Sequence, residues 1–92
     1  MSVTIHIPTP LRPYVGGKDE VELEKTGTLS AVMTTLVDEY GDLKKHLYDE
    51  EGQLRKFVNV YVNDEDIRYQ DGENTEVTDG SVVSIVPSIA GG

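Results

Sequence analysis

The chain has 92 residues, enough for one small domain with a single core. Its 17 acidic residues against 8 Lys and Arg give a formal charge of −9, which disfavours nucleic acid and anionic membranes as partners and favours basic ones. Cysteine is absent, which excludes disulfides, thiolate-held zinc, iron–sulfur clusters and a thiol nucleophile.

Residues 1–15 lack the basic start and apolar run of a signal peptide, and no stretch approaches a membrane span, so a cytoplasmic protein is expected. Val3, Ile5 and Ile7 alternate with Thr4 and His6, the pattern of a strand with one apolar face. Pro8, Pro10 and Pro13 then predict a loop or irregular edge. Gly16-Gly17-Lys18-Asp19 reads as a turn. Val21 and Leu23 alternate with Glu22 and Glu24, a second strand antiparallel to the first.

Leu29, Val32, Met33, Leu36, Val37 and Tyr40 recur at helical spacing, with Thr28 as N-cap and Gly41 as a left-handed terminator. Leu43 and Leu47 predict a further short helical turn, and residues 49–53 a solvated loop. Residues 57–62, FVNVYV, form a strand with Val58, Val60 and Val62 on one face. Turn chemistry at residues 63–66 leads into a short strand at Ile67-Arg68-Tyr69, and residues 71–75 are rich in turn formers. Asp79-Gly80 precedes the last strand, Val82 to Val86.

One helix against one face of a mixed sheet of about five strands is an α+β arrangement. With the first and last strands central and parallel, it is a β-grasp. The predicted core takes Val3, Ile5, Ile7, Val21, Leu23, Leu29, Val32, Leu36, Val58, Val60, Val83 and Ile85.

Internal motifs carry little chemistry. Residues 63–66 lack the spaced ligands, central glycine and distal glutamate of a calcium loop. Gly16-Gly17 has no phosphate-loop continuation. His6 falls on an outward strand face and His46 on a short polar helix, without a nucleophile pattern beside either. No catalytic residue and no metal ligand set is assigned, and the chain is read as something other than an enzyme.

What remains is the end, Ser88-Ile89-Ala90-Gly91-Gly92. Gly91 and Gly92 have no β-carbons and can thread, behind Ala90, a channel too narrow for other residues. The carboxyl carbon of Gly92 is unhindered. A carboxylate is unreactive at neutral pH until activated, typically as an acyl-adenylate, so a domain offering only this group is a substrate and carrier for ATP-using partners. Residues 1–87 are read as the folded domain and 88–92 as a flexible tail.

The run from Val82 to Gly92 after Asp79-Gly80 resembles the C-terminus of the ubiquitin-like sulfur-carrier family of the ThiS/MoaD type. The helix start at residues 28–36 and the strand and turn at 60–67 are similar to that family too. The segments at 7–12, 15–17 and 57–67 are most similar to the branch that carries sulfur for cysteine synthesis. The resemblance implies that a ubiquitin-activating-like enzyme adenylates Gly92 with ATP and that sulfur displaces AMP to leave a thiocarboxylate. It implies no cofactor bound by the carrier itself. In the cysteine branch the sulfur attacks an activated serine on a pyridoxal-phosphate cysteine synthase, and a zinc metallopeptidase releases the product. Molybdopterin or thiamin synthesis are alternative destinations. Other readings are a protein modifier ending in an isopeptide with lysine, and a binding module with an accidental Gly-Gly end.

The predicted strand faces leave Phe57, Asn59 and Tyr61 outward, with Val82, Ser84 and Val86 on the last strand and Thr4 and His6 on the first. Phe57, Tyr61, Val82 and Val86, flanked by Asn59 and His6, are the expected docking patch for partners beside the tail.

Overall fold

The computed structural model describes residues 2–56 and 58–87. Its main sheet has five strands in the order β2-β1-β7-β4-β5, formed by β1 (Val3–His6), β2 (Glu20–Leu23), β4 (Val58–Val62), β5 (Glu65–Asp66) and β7 (Val82–Pro87). β1 and β7 are central and parallel, with Ile5 opposite Val83, and the other pairings are antiparallel. The β-grasp topology is thus as expected. A second sheet pairs β3 (Gly27–Thr28) with β6 (Glu76–Val77), two dipeptides too short to leave an alternation in the sequence.

Helix α1 (Leu29–Glu39) packs on one face of the main sheet. The Thr28 hydroxyl accepts a hydrogen bond from the Ala31 N–H at 3.2 Å, satisfying one of the orphan donors of the first turn. Leu29, Val32, Met33, Leu36 and Val37 are buried, each contributing roughly 1.5–3 kcal/mol of transfer free energy. They meet Val3, Ile5, Val60, Val83 and Ile85 from the sheet. Gly41 does not end α1 in a left-handed conformation. Tyr40, at φ −121° and ψ 77°, is the C-cap, and Gly41 opens a 3-10 turn, Gly41–Leu43, that leads into helix α2 (Lys44–Leu47). The broken geometry lets Leu43 and Leu47 both reach the core.

The proline segment is more ordered than a loop. Thr9–Val15 forms a 3-10 helix with Pro13 inside it. Proline's fixed φ near −65° suits 3-10 geometry. Leu11 and Val15 are thereby buried, and Gly16 and Gly17, at φ 70° and 79°, reverse the chain into β2.

Ile67–Tyr69 is likewise 3-10 and not a strand. The Asp66 carboxylate accepts the Arg68 N–H at 2.8 Å and caps that turn. Residues two apart on a 3-10 helix are turned by about 240°, where a strand would place them on one face. Ile67 is therefore buried while Tyr69 is 82% exposed. Val58 is only partly buried, because β5 pairs with β4 at Tyr61 and Val62 and not beyond. Among the described residues no helix is long and apolar enough to cross a membrane.

Candidate functional site

The outward face of the sheet is built by register. Residues directly opposite one another on neighbouring strands share a face. One row crosses all five strands, Glu20–His6–Ser84–Tyr61–Asp66. Above it lie Thr4 and Val82, paired with each other, and below it Val86 opposite Asn59. The inward rows carry Val21, Ile5, Val83 and Val62, which are buried against α1. Strict alternation is therefore what brings His6, Asn59, Tyr61, Val82 and Val86 together, since a one-residue slip would invert every one of them.

These positions are not equally open. Val86 is 43% exposed, Tyr61, Val82 and Asn59 are partly covered, and His6 is exposed. Phe57 lies outside the described residues, as do Ala90, Gly91 and Gly92. A basic group meets an acid at each side of the face. On the β2 side His6 Nε2 stands 3.5 Å from Glu20 Oε2. On the β5 side Asp66 is nearly covered and accepts both Arg68 Nε and Nη2, the latter at 2.6 Å. Those bonds, from side chain first and backbone second, hold the Asp66 carboxyl below the usual carboxylate range.

The end of β7 is positioned from both sides. Val58 is opposite Pro87 at the last ladder position. At the other end of the strand, Asn63 donates its N–H to the Val82 carbonyl at 2.8 Å and accepts the Val82 N–H on Oδ1 at 2.9 Å. Asn63 and Asp64, at φ 52° and 69°, form the two-residue connection of the β4–β5 hairpin. Both residues tolerate that conformation because a short polar side chain lowers its cost. β7 ends at Pro87, one residue beyond Val86 on the outward face.

His46 lies on the short helix α2, as expected, but its ring is turned inward. Its ring stacks on Tyr14 with centroids 4.3 Å apart, and its Nε2 is buried without a hydrogen-bond partner among the described residues. The contact joins the proline segment to α2. No group of three or more His, Asp or Glu that could hold a metal ion occurs among the described residues. Tyr69, missed in the sequence as an exposed aromatic, had one available signal: Asp66 two residues before Arg68, a side-chain cap for a tight turn.

Comparison with known proteins covers the whole chain. The sulfur carrier protein CysO of Mycobacterium tuberculosis is 45% identical over 94 residues, spanning all of both chains. The small archaeal modifier protein 3 of Haloferax volcanii is 31% identical over 93 residues, again spanning both in full. A chain of the Amycolatopsis orientalis BexX/CysO complex superposes with a TM-score of 0.86 at 41% identity, covering 98% of this chain and 99% of that one. The pattern of the ThiS family matches residues 5–92, so the ubiquitin-like β-grasp and its terminal segment occur together as they do in that family, and the chain belongs to the ThiS family.

Proposed function

We propose that this protein is a sulfur carrier, acted on by enzymes and not itself a catalyst. The observation that carries the reading is that the family match continues through the last residue, Gly92, and that 45% identity to a sulfur carrier extends over the full length. Residues 1–87 form the body and 88–92 the arm that partners handle. The Gly92 carboxylate attacks the α-phosphate of ATP held by an adenylating partner, giving acyl-AMP and releasing pyrophosphate. A sulfide-level donor then displaces AMP and leaves a thiocarboxylate. That sulfur is nucleophilic at neutral pH and passes to an acceptor enzyme. Cysteine synthesis on a pyridoxal-phosphate enzyme, with release by a zinc metallopeptidase, is the destination favoured by the CysO similarity. The partner-bound CysO structure supports docking as a mode of action for such a body, and the face bearing Tyr61, Val82 and Val86 is the surface we assign to it.

The test is intact mass of the protein from its native cells. An oxygen-to-sulfur exchange at Gly92, or a cysteine adduct there, is expected, and both should vanish when Gly92 is deleted. Finding only unmodified carboxylate in cells starved of cysteine would refute the reading. The 31% identity to an archaeal modifier supports a second reading, in which the same adenylate ends as an isopeptide. Lysine-linked conjugates in place of thiocarboxylate would favour it.

A further inference from the structure

β2 is the outermost strand on the β1 side of the main sheet. Ile7 donates its N–H to the Asp19 carbonyl at 2.8 Å where the β1–β2 ladder begins, and antiparallel bonding alternates from there. Val21 and Leu23 therefore turn their backbone groups toward β1. The N–H and C=O groups of Glu20 and Glu22 point the other way, out of the sheet. Among the described residues no strand pairs with that side, and no loop hydrogen bond ends on those four groups.

The side chains alternate as well. Val21 and Leu23 are buried, while Glu20 and Glu22 stand exposed on the outward face, with Asp19 and Glu24 exposed at the two ends of the strand. His6 Nε2 lies 3.5 Å from Glu20. Asp19, Glu22 and Glu24 have no cation within ion-pair distance among the described residues, and Lys18 and Lys25 fall beyond the ladder. Native sheets close such an edge with proline, a bulge or lysine. Glu20–Leu23 holds neither proline nor lysine, and its register runs without a bulge. Free backbone groups and unpaired carboxylates therefore coincide along one edge.

We propose that the β2 edge takes an extended segment of a basic partner protein, added as a sixth strand, with lysine or arginine at every second position. The four open backbone groups bond the segment. Its residues opposite Glu20 and Glu22 share the outward face with them, so cations placed there meet the carboxylates. The residues between them fall on the helix side. A second copy of this chain is a poor occupant, because antiparallel self-pairing sets the glutamates of one β2 against those of the other. Nucleic acid is repelled by a chain of charge −9. The edge uses none of Tyr61, Val82 or Val86, so the inference stands apart from the carrier reading.

The probe is a short capped peptide of alternating threonine and lysine, titrated into the isotope-labelled full chain and followed by amide shifts. One control is a threonine–glutamate peptide. The other is the lysine peptide N-methylated at every lysine, which keeps its charge but loses the N–H groups that would face β2. Saturable binding is expected with the unmethylated lysine peptide alone, weakening as salt is raised. The amides of Glu20 and Glu22 should move downfield and gain protection from hydrogen exchange, while those of Val21 and Leu23, already in the ladder, change little. E22K should bind about tenfold more weakly, and E22Q should lose less in the same direction. Position 22 is exposed, so both variants should keep the fold by circular dichroism. Equal binding of either control peptide, shifts centred on Tyr61 and Val86, or no saturable binding would overturn the proposal. None of these readouts involves Gly92, ATP or sulfur, so their failure leaves the carrier reading standing.

Discussion

Replacing Asn63 by alanine tests how the hairpin connection secures the strand that leads to the terminal segment. Asn63 does two things that alanine cannot. It occupies φ 52° at low cost, and its Oδ1 accepts the Val82 N–H at 2.9 Å. A left-handed conformation costs an ordinary L-residue roughly 1–2 kcal/mol, of which asparagine is relieved of about 1. The hydrogen bond contributes about 1 kcal/mol net, and no more, because the site is open enough for water to replace it. The two losses together are about 2 kcal/mol. For a domain of this size that lowers Tm by about 8–16 °C. Asn63→Gly separates the contributions: glycine accepts the dihedral freely but loses the hydrogen bond, so about 1 kcal/mol is expected. Denaturant unfolding of the three proteins, with Tm from calorimetry, gives the comparison. If alanine costs no more than glycine, conformational preference at this turn is not what holds the hairpin, and the reasoning fails.

The remaining predictions concern titration and docking. Asp66 has its carboxyl held low by Arg68, so its contribution to stability is present above the ordinary aspartate range near ~3.9 and is lost as pH falls through the lower folded value. Arg68→Ala should move the Asp66 midpoint upward in a carboxyl NMR titration, though not fully, since the backbone N–H at position 68 remains; an unchanged midpoint would contradict the assigned cause. Burial first, and the charge of Glu73 second, push the Tyr48 hydroxyl up to about 12. The stability this gives is full below the unfolded value near ~10 and is lost as pH rises toward the folded one. An ultraviolet titration should show one of the five tyrosines ionising late, and that step should vanish in Tyr48→Phe. Changing Tyr61 and Phe57 to aspartate should leave the domain folded by circular dichroism and slow adenylation by a cognate activating enzyme about tenfold or more; undiminished adenylation would remove the patch from the docking surface.

Alternation was the dependable signal in this chain. The strands at Val3–His6, Glu20–Leu23, Val58–Val62 and Val82–Pro87 bury one face each, so period two is written into them. The helix at Leu29–Glu39 buries one stripe and begins at a threonine cap, so period 3.6 and its start are legible too. The outward placement of His6, Asn59, Tyr61, Val82 and Val86 followed from those periods without any knowledge of neighbours. The short elements were not legible. The proline helix at Thr9–Val15, the turn at Ile67–Tyr69 and the small sheet of Gly27–Thr28 with Glu76–Val77 are too brief to show a period. Each is decided by what it packs on or by a single side-chain cap.

By itself, then, the order of residues determined the layer architecture and the two faces of the sheet, because these depend on local periodicity. Tertiary structure alone decided how far the outward apolar groups are covered. It also set His6 beside Glu20 on the outward face. Those features come from groups far apart in the chain meeting across strands, and no local pattern records such a meeting.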